Sequence, residues 1–281
     1  MKNTNIQLVV ADIDGTFLDS ENSPSAGAFE AVHEIRRQGI EFTFSSGRGN
    51  SGIKPFIKLL DLNQPYISSA GAAILCADGE TIIRQELLNE GQVEAVVNLG
   101  KAANCNVLLH SARDMFTLVS DLFWEDIRTW EWLKGYGVQG MRRIDDWHSA
   151  PVDQIICLDI FGNNENLPAL NQAVNDLGVG LHATQMRHNL EIMDQCVDKG
   201  SALKHLAEYL HIPMENILAL GDGMNDASML EAAGVGFAMH NSNAHIKKKA
   251  NYVAPSNDQG GLAWVLRNLL VGKIVEYSWS E

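Results

Sequence analysis

The sequence predicts an α/β protein whose Rossmann-like parallel-sheet core carries an inserted α+β cap domain. Two observations lead to this prediction. In the first and last thirds of the 281 residues, short apolar strands alternate with amphipathic helices, as in a parallel sheet with helices on both faces. The middle third shows hairpin-like strands and aromatic segments instead. We therefore predict a core formed by residues 1–83 and 188–281, with a cap at residues 84–187.

The core elements follow from hydrophobic periodicity and from helix-boundary signals. Residues 6–11 form a nearly continuous apolar run, which is typical of a buried parallel strand. A helix is expected over residues 24–38, because Ser23 is a suitable N-cap, Pro24 suits the first turn and Gly39 ends the pattern. Further strands are expected at 40–44, 66–69, 217–220 and 235–239, and further helices at 51–60, 200–210, 224–233 and 260–270.

The middle third has a different order of elements. We expect strands at 106–109, 116–119, 154–161, 179–182 and 190–193, and helices near 122–133 and 167–177. Both ends of such a module can join the core at one rim of its sheet. This favours an insertion into the core domain.

Composition excludes several classes of protein. The formal charge of −14 argues against a broad nucleic-acid surface, and the one basic run, at 247–249, fits a solvated helix face. No apolar run reaches the roughly 18 residues of a membrane span, and the first residues lack the apolar region of a secretory signal. The four cysteines are scattered without a C-x-x-C pair, as expected for free thiols in a reducing compartment. We expect a cytoplasmic protein that binds neither nucleic acid nor membrane.

The first candidate site residues are Asp12 and Asp14. In extended backbone, residues i and i+2 point to the same side, so both carboxyl groups are expected at the carboxyl end of the first strand, where open parallel sheets bind ligands. Gly15 permits a sharp turn away from the strand. The pair fits a metal site or a nucleophile beside a general acid, and a structural turn would also account for it.

A second candidate, Ser46, follows the second strand and precedes Gly47. Its hydroxyl and the backbone N–H groups of the following helix can donate hydrogen bonds to an anion. Ser45 is the alternative donor. Two ordinary turn serines would produce the same pattern.

The last third adds further candidates. Lys199 opens a helix, where the helix dipole disfavours an ammonium group, so carboxylates or a phosphate are expected to compensate. Asp222 lies between two glycines directly after a short strand and is a candidate metal ligand. Asn225 and Asp226 open the next helix, where they can cap it or support the site.

Together these segments resemble the four motifs of the haloacid dehalogenase (HAD) superfamily. The four segments are Asp12-Ile13-Asp14-Gly15-Thr16, Ser46-Gly47-Arg48, Asp198-Lys199-Gly200 and Gly221-Asp222-Gly223-Met224-Asn225-Asp226. The best match is the Cof-type phosphatase branch, in which a C2-type cap lies between the second and third motifs. Residues 234–239, 250–253 and 260–261 also resemble that branch, so the similarity extends over most of the chain.

The resemblance implies a role for each of these residues. Asp12 would attack phosphorus to give an aspartyl-phosphate, and Asp14 would protonate the leaving alcohol and later activate water. Ser46, Gly47 and Lys199 would hold the phosphoryl oxygens. The substrate would be a small phosphorylated metabolite, a sugar phosphate before other esters.

The resemblance also implies a Mg²⁺ cofactor. Its ligands would be the carboxylates of Asp12 and Asp222 and the backbone carbonyl of Asp14, in keeping with the preference of Mg²⁺ for oxygen. Asn225 and Asp226 would support these ligands.

The chain departs from the branch at Ala70. Branch members often have Asn-Gly-Ala after the third strand, whereas residues 68–72 read Ser-Ser-Ala-Gly-Ala. A polar contact near the site is therefore lost, which bears on the choice of substrate more than on the chemistry.

The predicted cap contains polar and aromatic candidates for substrate recognition. Aromatic and arginine side chains that face the core would select a sugar or heterocyclic phosphate, but we favour tryptophans that fill the core of the cap. We expect structural roles for His182 and His188, while Arg187 and His188, at the junction with the core, are candidates to reach the substrate. The remaining candidates are Trp124, Trp130, Trp132, Trp147, His110, Arg113 and His148.

The sequence thus predicts a Mg²⁺-dependent phosphatase for small phosphate monoesters. Two alternatives are a phosphosugar mutase and a non-enzymatic sensor that binds a phosphorylated ligand. Asp14 argues against the sensor, because a binding module needs no proton-transfer carboxylate.

Overall fold

The computed structural model describes residues 5–118, 141–161, 165–186 and 189–275. The described helices are α1 (Ala28–Arg37), α2 (Asn50–Leu59), α3 (Glu90–Ala102), α4 (Leu167–Asp176), α5 (Lys199–Leu210), α6 (Ala227–Ala232), α7 (Ala244–Lys249) and α8 (Gly261–Leu270). The strands are β1 (Leu8–Ala11), β2 (Glu41–Phe44), β3 (Tyr66–Ser68), β4 (Ala73–Leu75), β5 (Ile82–Gln85), β6 (Asn106–Ser111), β7 (Met115–Leu118), β8 (Met141–Arg143), β9 (Ile155–Phe161), β10 (Leu181–Gln185), β11 (Asn189–Asp194), β12 (Ile217–Gly221), β13 (Val235–Met239) and β14 (Tyr252–Ala254).

A five-stranded sheet forms the centre of the core, in the order β14-β13-β12-β1-β2. Every pair in it is parallel. Ala11 at the end of β1 lies opposite Phe44 of β2 and Leu220 of β12. The residues that follow these three strands are therefore brought together at one edge of the sheet, as expected for a ligand site in a parallel sheet.

The two faces of β1 explain why helices cover both sides of this sheet. Val9 and Ala11 pack in one hydrophobic cluster with α1 and α8. Leu8 and Val10 point the other way and pack in a second cluster with α5 and α6. All four side chains are buried, which accounts for the uninterrupted apolar run in the sequence. The predicted α/β core is confirmed.

A second, six-stranded sheet, here called the cap sheet, has the order β10-β11-β9-β6-β7-β8. Its pairs are antiparallel except β7 with β8. Helices α3 and α4 pack on its apolar face, so the predicted α+β part of the fold is confirmed. The cap sheet includes β11, which begins at Asn189, after the predicted cap boundary at residue 187. The division into core and cap domains otherwise stays a prediction.

Strands β3, β4 and β5 form a small antiparallel sheet. The sequence predicts β3 as a further strand of the parallel sheet, but β3 reaches that sheet through a single parallel bridge between Ser45 and Ile67. Strands β4 and β5 were not predicted. They contain three and four residues, too few for a clear periodic pattern.

The predicted start of the first helix is wrong. Helix α1 begins at Ala28, not at Pro24. A bridge between Leu18 and Pro24 and the hydrogen bond that the Ser25 N–H donates to the Phe17 carbonyl (2.9 Å) hold the intervening chain against the β1 turn. Tertiary contacts thus override the capping signal at Ser23.

The other predicted helices and strands that lie in the described ranges agree with the structure to within a few residues. The helix predicted near residues 122–133 lies outside the described residues. Helices α3 and α7 and strands β8 and β14 were not predicted. Within the described ranges, the helices are too short or too polar to cross a membrane.

Candidate active site

The predicted site residues meet at the carboxyl edge of the parallel sheet. Asp12 directly follows β1, Ser46 lies two residues after β2, and Asp222 directly follows β12. Lys199 is the first residue of α5, which packs against α6 beside the same edge. Segments that are far apart in the sequence therefore form one cluster.

Lys199 is the centre of this cluster. Its Nζ donates hydrogen bonds to Asp12 Oδ1 at 2.7 Å and to Asp226 Oδ1 at 2.6 Å. Burial by itself lowers the pKa of Lys199, but the two carboxylates outweigh that effect and hold the pKa above its ordinary value. The predicted pairing of Lys199 with carboxylates explains how an ammonium group is accommodated at a helix start. The side chain is fully buried and positively charged.

Three carboxylates surround this ammonium group. Asp12, Asp222 and Asp226 each place an oxygen within 4.8 Å of the others. Burial raises the pKa of Asp12 well above its ordinary value, opposed by Lys199 and reinforced by Asp226 and Asp222. Burial, followed by the charge of Asp226, raises the pKa of Asp222 to about 7. One lysine does not balance three carboxylates, so a divalent cation would stabilise their ionised forms.

The donor set fits Mg²⁺, because these donors are carboxylate oxygens. Of the three carboxylates, Asp226 is the least available to coordinate a metal, because both of its oxygens already accept hydrogen bonds. Its Oδ1 accepts from Lys199, and its Oδ2 accepts from the N–H groups of Asp222 (2.9 Å) and Gly223 (2.8 Å). Asp12 and Asp222 are the better metal ligands. Asp226 shapes the loop that presents Asp222.

Neighbouring polar groups orient Asp222. Thr16 Oγ1 donates to Asp222 Oδ1 at 3.0 Å, and Asn241 Nδ2 lies 3.2 Å from Asp222 Oδ2. Asn241 Nδ2 also donates to the Gly15 carbonyl at 2.9 Å. Gly15 has a φ of +75°, and a Cβ atom there would collide with the Asp222 carboxylate. The turn after β1 therefore requires glycine at this position.

Asp14 is held by Arg48. The guanidinium donates from Nε to Oδ2 at 2.7 Å and from Nη2 to Oδ1 at 2.6 Å, a two-bond fork. The Arg48 side chain is 4% exposed, whereas that of Asp14 is 46% exposed. Asp14 therefore sits at the open side of the site with its carboxylate engaged by an arginine to which the sequence assigned no role.

Ser46 and Gly47 form the turn after β2. Ser46 is buried, and its Oγ accepts from the Arg48 N–H at 3.2 Å. Over the described part of the chain, no acceptor is found for the Ser46 hydroxyl proton, which can donate to an anion. Ser45, the alternative, is also buried and its hydroxyl has no hydrogen-bond partner among the described residues.

Glu191, in β11, is a site residue that the sequence did not reveal. Its Oε2 accepts from Asn225 Nδ2 at 3.3 Å, and its Oε1 would lie 2.6 Å from a Cβ atom at Gly47. Burial, followed by the charge of Asp159, raises the pKa of Glu191 to about 7. The signal was an acidic residue inside an apolar strand, between Leu190 and Ile192. Glu191 links the cap sheet to the second and fourth motifs.

The position of Ala70 gives a physical reason for the asparagine that the branch often has there. Ala70 is buried and has a φ of +51°, in the left-handed region that asparagine adopts more readily than alanine. Its N–H donates to the Ser46 carbonyl at 3.0 Å. Ala70 lines a cleft of about 200 Å³ between the carboxyl edge of the parallel sheet and the cap sheet, together with His182, Glu191 and Asn225.

The other cap candidates that lie in the described ranges have local partners. Trp147 is buried in the hydrophobic cluster of the cap, as favoured above. His182 Nδ1 lies 3.1 Å from the Asp194 carbonyl, which fits the expected structural role. Arg113 donates to the Glu80 carbonyl, and His148 pairs with Asp146 on the surface. Outside the described residues lie Trp124, Trp130, Trp132, Arg187 and His188.

Comparison with known proteins gives the same assignment over most of the chain. The haloacid dehalogenase-like hydrolase family model matches residues 9–266. Phosphatase YwpJ of Bacillus subtilis is 27% identical, with 94% of this chain and 100% of the relative aligned. The 5-amino-6-(5-phospho-D-ribitylamino)uracil phosphatase YcsE of the same organism is 25% identical over 95% of this chain and 97% of its own. A haloacid dehalogenase-like hydrolase from B. subtilis superposes with a TM-score of 0.81 at 26% identity, covering 94% of this chain and all of that structure.

These matches agree with the four motifs and with their convergence at one sheet edge. The resemblance to the Cof-type phosphatase branch is confirmed. The chain belongs to the haloacid dehalogenase-like hydrolase family.

Proposed function

We propose that this phosphatase is a Mg²⁺-dependent enzyme that hydrolyses small phosphate monoesters through a phosphorylated Asp12. The observation that carries the proposal is the buried Lys199, held between Asp12 and Asp226 at the carboxyl edge of the sheet. A lysine in this place fixes the orientation of Asp12 and supplies positive charge where a phosphoryl group would arrive. An ion pair that only stabilised the fold would not need to lie at the edge of the sheet where ligands bind.

In the first step, a carboxylate oxygen of Asp12 attacks phosphorus, and the bond from phosphorus to the ester oxygen breaks. Asp14 gives its proton to the departing alkoxide. In the second step, water attacks the phosphorus of the acyl phosphate and gives a proton to Asp14, which regenerates the Asp12 carboxylate and releases phosphate. The exposed position of Asp14 suits a group that meets both the leaving alcohol and water.

The Arg48 fork is part of this cycle. While Asp14 accepts two hydrogen bonds from Arg48, both of its carboxylate oxygens are occupied and do not meet a leaving group. We propose that substrate entry separates this pair so that Asp14 can carry a proton. Arg48 then remains near the site as a second cation beside Lys199.

Ser46, Gly47 and Lys199 would hold the phosphoryl oxygens. The carboxylates of Asp12 and Asp222 and the carbonyl of Asp14 would hold Mg²⁺, with Asp226 and Asn225 supporting the loop that carries Asp222. When bound, Mg²⁺ neutralises negative charge on the carboxylates and on the phosphoryl group.

We propose sugar and sugar-alcohol phosphates as the substrate class. The relative YcsE is named for a substrate with a 5-phospho-D-ribitylamino group. The cleft beside Glu191 and Asn225 is bordered by His182 and Thr184, and these polar side chains suit a leaving group with several hydroxyls.

The test is phosphate release from a panel of sugar, sugar-alcohol and aryl phosphates, with Mg²⁺ and with EDTA. We expect release with Mg²⁺, loss of activity in EDTA and recovery when Mg²⁺ is restored. Mass spectrometry of the enzyme quenched during turnover is expected to locate phosphate on Asp12. The Asp12→Asn variant serves as the negative control for that assignment.

Three results would contradict the proposal. Tight binding of phosphate esters without release would identify a sensor. Movement of phosphate between positions of one sugar, activated by a bisphosphate, would identify a mutase. Full activity in EDTA would exclude the metal assignment.

A further inference from the structure

The cap sheet has one apolar and one polar face. Alternate residues of a strand point to opposite faces, and Leu109, Leu158 and Ile192 belong to the cluster under α3 and α4. The residues between them face the other way. The register places Asp159 opposite Glu191 and Cys157 opposite His110, so His110 lies diagonally across from Asp159 on the same face. His110, Asp159, Asn189 and Glu191 are each no more than 4% exposed. We call these four residues the cap-sheet cluster.

The turn after β2 covers this polar face. Besides the approach of Glu191 to Gly47, a Cβ atom at Gly49 would lie 3.7 Å from His110 Nδ1 and 3.6 Å from Met115 Sδ. Between the two glycines, Arg48 reaches Asp14. The segment 47–49 therefore connects three parts of the site. Gly47 belongs to the proposed phosphate site, Arg48 contacts the proposed proton donor, and Gly49 lies beside His110.

His110 is fixed by a chain of polar contacts. Its Nε2 lies 2.8 Å from Asp159 Oδ2, and Asp159 Oδ1 accepts from Asn189 Nδ2 at 2.8 Å. The negative charge of this carboxylate favours the tautomer with a proton on Nε2. Both ring nitrogens are buried and neither makes a well-directed hydrogen bond among the described residues, and Nδ1, unlike Nε2, has no carboxylate beside it there. An unpartnered buried nitrogen beside the turn after β2 is unfavourable unless a ligand completes it.

We propose that His110 is a specificity-determining residue, whose Nδ1 pairs with a hydroxyl of the leaving group while Asp159 and Asn189 hold the ring. A hydroxyl both donates and accepts hydrogen bonds, so it pairs with Nδ1 in either protonation state of the ring. This inference rests on the proposed phosphatase function and adds which part of the substrate is recognised.

Geometry and charge define the group that fits. Gly47 and Gly49 are two residues apart, at most about 7 Å along the backbone, so the recognised hydroxyl lies a few bonds from the ester oxygen. Asp159 and Glu191 place two acidic side chains on the same face. They disfavour a leaving group that carries a carboxylate or a second phosphate, because like charges in a buried site repel strongly. The substrate class is a neutral polyol phosphate.

The test compares the effect of His110→Ala on two esters in the Mg²⁺-loaded enzyme. For ribitol 5-phosphate, we expect kcat/KM to fall about 10- to 100-fold, the usual effect of losing one specific hydrogen bond to substrate. For p-nitrophenyl phosphate, whose leaving group has no additional hydroxyl, we expect a change of less than about twofold. His110→Gln keeps a hydrogen-bonding group and is expected to recover part of the loss.

His148→Ala is the matched control, because His148 also pairs with an aspartate, Asp146, at 2.9 Å but is exposed. It should change neither ester. Asp159→Asn provides a second test if His110→Ala fails to fold, and it should weaken ribitol 5-phosphate turnover selectively.

Equal losses for both esters in His110→Ala, or in Asp159→Asn where that variant is needed, would overturn the inference and leave the phosphatase proposal intact. No change with either ester would overturn it in the same way. Failure of the unmodified enzyme to release phosphate from any ester would overturn the proposed function, and this inference with it.

Discussion

The structure contains two buried clusters of charged side chains, and they are neutralised in different ways. In the proposed catalytic cluster, which consists of Asp12, Lys199, Asp222 and Asp226, the carboxylates of Asp12 and Asp226 share the ammonium group of Lys199 at distances of 2.7 and 2.6 Å. In the cap-sheet cluster, Asp159 and Glu191 are paired with His110, Asn189 and Asn225. The partners there are one imidazole and two amides.

The difference appears in the protonation behaviour of the two clusters. The pKa of Lys199 is held above its ordinary value by its carboxylate partners, so the lysine keeps its proton. The pKa of Glu191 is raised by burial, and then by Asp159, to about 7. The charge of Lys199 lowers the pKa values of Asp12 and Asp222 against the effect of burial, whereas the four residues of the cap-sheet cluster include no lysine or arginine that would do the same. The first arrangement suits catalysis and the second suits recognition of a neutral ligand.

Asp12→Asn should have the largest effect, because it removes the proposed nucleophile and leaves the cap-sheet cluster unchanged. We expect the rate of phosphate release to fall by about 10⁴-fold or more, as for the loss of a nucleophile in other enzymes. Asp153→Asn, at an exposed position next to β9, is the matched control. Residual activity within about tenfold of the unmodified enzyme would remove Asp12 from the mechanism.

Lys199→Met should lower both the stability of the protein and the rate of phosphate release. The variant leaves Asp12 and Asp226 buried without their cation, so we expect a loss of about 3–5 kcal/mol in the free energy of unfolding and a fall in phosphate release of about 10³-fold. Urea unfolding in EDTA and steady-state assays with Mg²⁺ measure the two effects.

Lys54→Met is the control for that variant, because Lys54 also pairs with a carboxylate, Glu80, at 2.8 Å but on the surface. Its effect on stability should be much smaller, since water screens an exposed pair. Equal losses in the two variants would show that burial of Lys199 adds nothing.

The two clusters also differ in how far the sequence predicts them. Asp12, Ser46 and Asp222 each follow a strand of the same parallel sheet, and parallel strands bring their carboxyl ends together whatever their sequence separation. Recognition of three strands was therefore enough to predict that these residues meet. Lys199 and Asp226 were expected beside them for other reasons. An ammonium group at a helix start needs carboxylates or a phosphate to compensate it, and the four motifs together resemble those of the haloacid dehalogenase superfamily.

The cap-sheet cluster was not predicted because it depends on strand register. His110, Asp159 and Glu191 lie in the three neighbouring strands β6, β9 and β11, and a shift of one residue in any strand would move its side chain to the opposite face. Loop lengths and tertiary packing fix that register, and no local pattern reports it. The same reason explains Arg48 and Asn241, whose partners lie on other segments.

Thr16→Val tests whether Thr16 orients Asp222 as a proposed metal ligand, and its expected effect on activity is smaller. It removes the hydrogen bond of 3.0 Å to Asp222 Oδ1, and the loss of a group that orients a metal ligand costs about 10- to 100-fold in metal affinity. We expect half-maximal activity to need correspondingly more Mg²⁺, with kcat at saturating Mg²⁺ nearly unchanged. Thr81→Val, which removes an exposed Thr–Asp hydrogen bond of 2.7 Å, is the control. If the Mg²⁺ concentration at half-maximal activity were unchanged in Thr16→Val, the hydrogen bond from Thr16 would not contribute to metal binding by Asp222.

Glu191→Gln should have the smallest effect of these variants. It tests whether the raised pKa of Glu191 makes the stability of the protein depend on pH. Because the pKa of Glu191 is raised in the folded protein to about 7, the folded state binds a proton that the unfolded chain releases from about pH 4.5 upward. Stability from this group is therefore complete at low pH and is lost as the pH rises to about 7, by up to about 1.4 kcal/mol per pH unit.

The glutamine variant should show a shallower decline in the free energy of unfolding over that range, measured by urea unfolding in EDTA. Glu94→Gln removes one carboxylate from the exposed face of α3 and is the matched control. The catalytic cluster contains raised carboxyl pKa values too, so the difference between the two variants isolates Glu191. If both variants decline as steeply as the unmodified protein, Glu191 keeps its charge when buried. The cap-sheet cluster would then hold two anions beside the site, and the proton assigned to Glu191 near neutral pH would be excluded.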